Sequence, residues 1–217
     1  MLDLTYLKMF EKVEKEIIAK HGEPDMPIIA IGGWAGTGKD TAAYNLQKLL
    51  KKKNKIKMTV HVAGDIFRAV AREAGYSERE LEKFSAEVKG DELDIRIDRT
   101  TLEMALTKGG IYVGRMAPAV IGEHGIKVWI ETDPKIIAER VSSDPKRKEY
   151  KMPIAELTKR GKERNKKDAA RYKRIYGIDP EKLKSKYDLV LDNSHYTKKE
   201  TANKLYEFVV SKIKSFK

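Results

Sequence analysis

A glycine-rich segment ending in a lysine is the part of this 217-residue sequence best suited to binding phosphate. It reads GWAGTGKDT from Gly33 to Thr41 and follows a short apolar run at Pro27 to Ile31. Glycines in such a loop allow backbone approaches that a Cβ atom would prevent, so successive N–H groups can converge on phosphate oxygens. The lysine and the following helix add positive charge. The order strand, loop, helix therefore predicts an ATP-binding loop. Its predicted binding residues are Gly33, Gly36, Thr37, Gly38, Lys39, Asp40 and Thr41.

The residue after the lysine departs from the usual pattern of such loops. That position normally carries Ser or Thr, whose hydroxyl ligates Mg²⁺, whereas this sequence has Asp40. A carboxylate oxygen suits Mg²⁺, either directly or through one of the waters that the ion keeps. We therefore predict Asp40 as a metal ligand. The alternative is that Asp40 only stabilises the start of the helix electrostatically.

Two arginines that follow other predicted strands are candidates for binding a second phosphate. Arg68 ends the segment GDIFR that begins at Gly64, and Arg115 follows Gly114. The carboxyl ends of parallel strands line the crevice in which open α/β sheets bind ligands. An arginine fork matches two phosphate oxygens, so Arg68 and Arg115 are predicted to hold a second phosphate near the first.

The most basic segment runs from Lys146 to Arg174, with thirteen Lys or Arg and four Asp or Glu. One set of its charged residues is spaced four, four and three apart, which places them on one stripe of a helix. These residues are Arg160, Arg164, Asp168 and Arg171. The loop sequences SSDP at 142–145 and KMP at 151–153 precede this stripe. Together they predict a basic, mobile lid over residues 142–165 that closes on polyphosphate, with Arg160 and Arg164 beside Lys39 as catalytic residues.

These residues need a scaffold of strands alternating with helices. Short apolar or β-branched runs predict strands over 27–31, 56–62, 111–113, 127–131 and 187–191. Helical periodicity predicts helices over 2–18, 39–50, 65–74, 77–88, 92–107, 134–141, 154–176 and 198–213. The alternation predicts an α/β fold, a five-stranded parallel sheet flanked by helices. We expect one phosphate-loop domain over 27–217, with acceptor-binding helices over about 64–108, and an amphipathic helical extension over 1–26.

Composition excludes several classes of protein. The sequence has no Cys, which excludes disulfides, thiolate metal sites and cysteine nucleophiles, and its four His show no ligand spacing. No apolar run is long enough to span a membrane, so we predict a cytoplasmic protein without a membrane partner. The net charge is +12, which could suit a nucleic-acid partner. However, no aromatic residues alternate with the lysines at 51–57, and this argues against nucleic-acid binding.

With these motifs assembled, the sequence resembles the archaeal cytidylate kinases of the nucleoside monophosphate kinase superfamily. The resemblance extends from Ile28 to Val209 and includes the phosphate loop, the two arginine motifs, IAERV at 137–141 and DAARYKRIYGID at 168–179. It implies transfer of the ATP γ-phosphate to CMP or dCMP with Mg²⁺. It also implies that Arg140 stacks on the donor adenine and that Asp168 helps to recognise the acceptor base. The other substrate-binding residues implied are Asp65, Arg68, Arg115, Arg164 and Arg171.

Phosphoryl transfer depends on positioning and charge neutralisation, so no nucleophilic side chain is expected. Two alternatives stay open at this point. One is another small-molecule kinase with the same loop and lid but a different acceptor. The other is a non-catalytic or RNA-associated nucleotide-binding protein.

Overall fold

A computed structural model describes residues 5–88, 90–180 and 182–214. Within these ranges five strands form a wholly parallel sheet in the order β2-β3-β1-β4-β5. The strands are β1 Ile28–Gly32, β2 Val60–Val62, β3 Gly110–Val113, β4 Ile126–Glu131 and β5 Leu189–Asp192. The predicted α/β class and five-stranded parallel sheet are confirmed.

Helices cover both faces of this sheet. They are α1 Thr5–His21, α2 Lys39–Leu49, α3 Ala63–Glu73, α4 Leu81–Glu87, α5 Gly90–Lys108, α6 Ala117–Ile121, α7 Pro134–Ser142, α8 Ile154–Tyr176 and α9 Lys198–Lys214. Side chains alternate along β1, so Ile28 and Ala30 join the core beneath α1, α5, α6 and α8, whereas Ile29 and Ile31 join the core beneath α2 and α9. No described helix has the length and apolar character needed to cross a membrane.

The N-terminal helix α1 packs on the domain. Phe10 is only 4% exposed, belongs to the first of these cores, and lies 6.4 Å from Tyr176 between ring centroids. Glu14 also lies 2.8 Å from the Nε2 atom of His124. Residues 1–4, at the start of the predicted extension, lie outside the described residues.

Two local predictions were wrong, and one short helix was missed. The second strand is limited to Val60–Val62, because its partner strand β3 spans only Gly110–Val113 and pairs with it from Ile111 onwards. Ahead of it, α2 continues as a π-helical turn over Leu50–Asn54, and Lys55 adopts a left-handed conformation (φ 61°). The predicted helix over 77–88 is instead a 3₁₀ turn at Glu78–Glu80 followed by α4. The short helix α6 was not predicted, because its five residues, APAVI, are all apolar and show no periodicity.

Candidate functional site

The phosphate loop connects β1 to α2, as predicted, and two of its glycines, Gly33 and Gly36, fit positions that exclude a side chain. A Cβ atom on Gly33 would lie 2.6 Å from the carbonyl oxygen of Ile130. At Gly36, where φ is +88°, a Cβ atom would lie 2.5 Å from Cγ2 of Ile137. The loop therefore packs directly on the end of β4 and on α7, which fixes its path.

The N-terminus of α2 is directed at this loop. Gly38 occupies the cap position, and no side chain caps the helix there. Its first N–H groups and its dipole thus favour an anion. Thr37 is buried, and its hydroxyl donates to the carbonyl oxygen of Trp34 over 3.0 Å, which helps to shape the loop.

A cavity of about 710 Å³ opens beside the loop. Gly36, Thr37, Gly38 and Thr41 line one side, and Arg140 lines it from α7. Lys146 and Arg147, which belong to the segment between α7 and α8, line it as well. This cavity combines the loop, positive charge and enough volume for a nucleotide.

Asn193, which follows β5, forms hydrogen bonds with both the phosphate loop and Arg140, which line this cavity. Its Nδ2 group donates to the carbonyl oxygen of Thr37 over 3.0 Å, and its Oδ1 atom accepts from the hydroxyl of Thr132 over 2.6 Å. The Arg140 guanidinium donates to Oδ1 over 3.2 Å and to the Asn193 carbonyl oxygen over 2.9 Å. The position of Arg140 is therefore tied to that of the phosphate loop through one buried amide.

Positive charge is concentrated around Lys39. Burial lowers the pKa of its ammonium, and the charges of Arg115 and Arg164 lower it further, against the opposing effect of Asp40. The arginines come from the end of β3 and from α8, so elements far apart in sequence bring cations to the loop. Neighbouring cations repel one another, and a strongly negative ligand would offset this repulsion.

Asp40 lies in the first turn of α2, about half exposed, with its Oδ1 atom 3.7 Å from Nζ of Lys39. No group of three or more His, Asp or Glu suited to holding a metal ion occurs in the described part of the chain. A protein cage for a metal is therefore absent from that part. Mg²⁺ suits a different arrangement, one carboxylate together with substrate phosphates and water, and Asp40 meets that requirement.

A second cavity, of about 230 Å³, lies between α3, α5, α6 and α8. Arg115 and Arg171 line it, and Asp168 lies between them, 3.3 Å from Nη2 of Arg115 and 3.1 Å from Nη2 of Arg171. Nε of Arg171 lies 2.9 Å from Oδ2 of Asp94 on α5. The structure thus brings together three residues of the predicted substrate-binding set and adds a carboxylate that sequence reasoning missed.

Asp98 also lines this second cavity, one helical turn after Asp94. The hydroxyl of Tyr176 donates to its Oδ2 atom over 2.7 Å. Burial raises the pKa of Asp98 to about 7, and Asp94 adds to the rise, whereas the hydrogen bond from Tyr176 opposes it. Burial also raises the pKa of Asp94, against the effect of Arg171.

The other predicted residues lie at different places. Arg68 contacts Asp65 on α3, and its guanidinium lies over Gly64, at the edge of the second cavity. Arg160 is exposed and contacts Glu156 one turn earlier on α8, and it lines neither cavity. The predicted stripe on α8 is therefore divided, because its N-terminal end extends away from the cluster of Arg115, Asp168 and Arg171.

Asp94, Asp98 and Asn193 were not found from the sequence, although each carries a signal. Asp94, Asp98 and Thr101 are spaced four and three apart, which places all three on one face of α5. Asn193 follows β5, at the same edge of the sheet as the other strand ends.

Solved structures share this fold over most of their length. Shikimate kinase from Bacteroides thetaiotaomicron is similar over 85% of this chain and 99% of its own, with a TM-score of 0.57 and 15% identity. Shikimate kinase from Acinetobacter baumannii, in complex with shikimate, is similar over 87% and 95%, with a TM-score of 0.54 and 15% identity. The fold is that of the phosphate-loop kinases.

Sequence similarity narrows this class to one family. The family model described as "Cytidylate kinase-like family" matches residues 28–195. Cytidylate kinase from Methanopyrus kandleri is 36% identical over 186 residues, 80% of this chain and 88% of the relative. Cytidylate kinase from Methanocaldococcus jannaschii is 37% identical over 174 residues, 78% of this chain and 89% of the relative. The chain belongs to the cytidylate kinase-like family and is an ATP-dependent phosphotransferase, which confirms the resemblance.

Proposed function

We propose that this protein transfers the γ-phosphoryl group of ATP to CMP or dCMP with Mg²⁺. The observation that carries the proposal is that the charges of Arg115, which lines the smaller cavity, and of Arg164 act on Lys39 of the phosphate loop and lower its pKa. Two nucleotides whose phosphates meet at this cluster would place their bases in different cavities. Membership in the family supports the cytidylate acceptor.

In this proposal ATP occupies the larger cavity. The loop amides and Lys39 hold its β- and γ-phosphates, and Arg140, fixed by Asn193, lies against the adenine. The monophosphate occupies the smaller cavity, with its phosphate bound by Arg68 and Arg115. Catalysis then consists of in-line positioning and neutralisation of the transferring group.

Mg²⁺ would be held by Asp40 together with phosphate oxygens and water, and it would neutralise charge on the phosphates of the donor. Lys39 and Asp40 are neighbours in sequence and in space, so the donor phosphates can contact an ammonium and a metal-binding carboxylate at the same end of α2. Asp40 in this role supplies the oxygen that a Ser or Thr hydroxyl supplies in the usual loop.

The segment over 142–165 acts as the lid in this proposal. Its base is closed by two hydrogen bonds, from the Lys151 amide to the Ser142 carbonyl oxygen over 2.8 Å and from the Ser142 hydroxyl to the Met152 carbonyl oxygen over 2.9 Å. Lys146 and Arg147 already line the larger cavity. Closure would bring Arg164 onto the transferring phosphate, and Arg160 would join it on leaving Glu156.

The test is ADP formation from ATP with CMP, dCMP, UMP, AMP and GMP in turn, with and without Mg²⁺. We expect transfer to CMP and dCMP that requires Mg²⁺. Lys39→Ala should lower turnover by about 10²- to 10³-fold, because one charged donor to the phosphates is lost. Lys48→Ala, an exposed lysine on the same helix, is the matched control and should retain the wild-type rate. Absence of transfer to every monophosphate, or wild-type turnover in Lys39→Ala, would overturn the proposal.

A further inference from the structure

The smaller cavity has cations at the end near the phosphate loop and carboxylates at the end formed by α5. Arg115 acts on the charge of Lys39 at one end, and its guanidinium contacts Asp168. Asp168 contacts Arg171, and Arg171 contacts Asp94 on α5. The chain of contacts thus leads from cations at the phosphate loop to carboxylates on α5.

A nucleoside monophosphate has the complementary polarity, with a negative phosphate at one end and an uncharged base bearing N–H donors at the other. The cations draw its phosphate towards the loop, and the carboxylates of α5 are left to face its base. This step rests on the proposed function, since it takes a monophosphate as the acceptor.

Polar atoms around the cavity lack hydrogen-bond partners. Within the described residues these buried atoms include Nε of Arg115, Nε of Arg171 and Oδ2 of Asp168. Asp168 is 6% exposed, and its Oδ2 atom contacts Arg115 at 3.3 Å without a hydrogen bond. Buried polar groups are normally paired, so this wall is built for a polar ligand.

Two carboxylates of α5, Asp94 and Asp98, line the cavity, and among the described residues no guanidinium pairs with Asp98. Asp168 lies between two guanidiniums, and Asp94 contacts Arg171. The Oδ2 atom of Asp98 accepts from Tyr176, but its Oδ1 atom accepts no hydrogen bond from the part of the chain that the structure describes. A carboxylate oxygen in this state can accept an N–H group from a base.

We propose that Asp98 is a specificity-determining residue, which accepts a hydrogen bond from the exocyclic amine of the acceptor base and so selects cytosine over uracil. Cytosine offers an amine where uracil has a carbonyl oxygen, and a carboxylate accepts from the amine. Above about pH 7, where the side chain of Asp98 is ionised, the uracil oxygen would face the carboxylate without a donor between them, and a site built for hydrogen bonding rejects such an analogue strongly. Tyr176 positions Asp98 from the core side.

The experiment compares kcat/KM for CMP and UMP, at pH 8 and saturating ATP, in the wild-type chain and in Asp98→Asn. The asparagine amide keeps the shape of the side chain but can turn its NH₂ group towards a carbonyl oxygen. We expect the ratio of CMP to UMP to fall by about 10- to 100-fold, through a higher KM for CMP and a lower KM for UMP. The KM for ATP should stay at the wild-type value. Glu87→Gln, which also alters a carboxylate bonded to a tyrosine hydroxyl but on an exposed surface, is the matched control and should keep the wild-type ratio.

Tyr176→Phe provides a second variant, because it removes the hydrogen bond to Asp98 and keeps the ring that packs on Phe10. We expect its ratio of CMP to UMP to fall less than in Asp98→Asn. A wild-type enzyme that phosphorylates CMP, with unchanged ratios in both variants, would overturn this inference and leave the proposed function standing. A wild-type enzyme that phosphorylates no monophosphate would overturn the proposed function itself.

Discussion

Replacing Asp98 by Asn should stabilise the protein at neutral and alkaline pH. The pKa of Asp98 rises from 3.8 to about 7 in the folded chain, mainly through burial. The folded state therefore holds a proton that the unfolded state has lost over this interval. The contribution of such a carboxyl to the free energy of unfolding is therefore fully present below about pH 3.8, where it is protonated in both states. This contribution is lost as pH rises towards 7.

The interval sets the magnitude of the effect. From pH 3.8 to about 7, at about 1.36 kcal/mol for each pH unit, the contribution amounts to about 4 kcal/mol. An uncharged Asn avoids this loss and can still accept the hydroxyl of Tyr176. Between pH 5 and pH 8 the free energy of unfolding of Asp98→Asn should therefore gain about 2–3 kcal/mol over the wild-type value.

The assay is urea unfolding followed by circular dichroism at pH 5, 6, 7 and 8, in the wild-type chain, in Asp98→Asn and in Glu87→Gln. The exposed Glu87 is the matched control, and its variant should follow the wild-type dependence on pH. A constant difference in stability between Asp98→Asn and wild type over this range would refute the reasoning, because it would mean that Asp98 titrates alike in both states.

Three further changes test other parts of the site and the core. Asp40→Ser should raise the Mg²⁺ concentration needed for half-maximal turnover by about tenfold, since it removes the proposed carboxylate ligand, and active, metal-insensitive turnover would contradict this. Asn193→Ala removes the bonds to Thr37 and Arg140, each worth about 1 kcal/mol, so the KM for ATP should rise by about tenfold in steady-state assays while the KM for CMP stays constant. An equal rise in both would point to general loosening. Phe10→Ala should cost about 3 kcal/mol in urea unfolding, and a cost near zero would show that α1 is dispensable for the core.

The parts of the site that could be predicted from the sequence are those formed by residues close together in the chain. The phosphate loop is contiguous, and its glycines, Lys39 and the start of α2 follow one another, so the geometry could be inferred from neighbours alone. Arg171 and Asp168 were likewise placed together by helical spacing. Arg115 was predicted from its position after a strand, because parallel strands align their carboxyl ends.

The remainder depends on contacts between distant segments. Asn193 bonds Thr37 across 156 positions, and Tyr176 bonds Asp98 across 78, and no local pattern specifies such partners. Arg160 contacts Glu156, one turn earlier on α8, and lines neither cavity in this structure, a partner that helical periodicity alone did not indicate. The lid and the roles of the site residues stay predictions.

The two helices at the ends of the chain have a practical consequence for recombinant work. The family match covers residues 28–195, which excludes both α1 and α9. Phe10 of α1 closes one core, and Leu205 and Val209 of α9 close the other. A fragment limited to the matched segment would keep the site residues but would expose apolar side chains on both faces of the sheet. Insolubility of such a fragment would therefore result from the loss of α1 and α9 and would not bear on its chemistry.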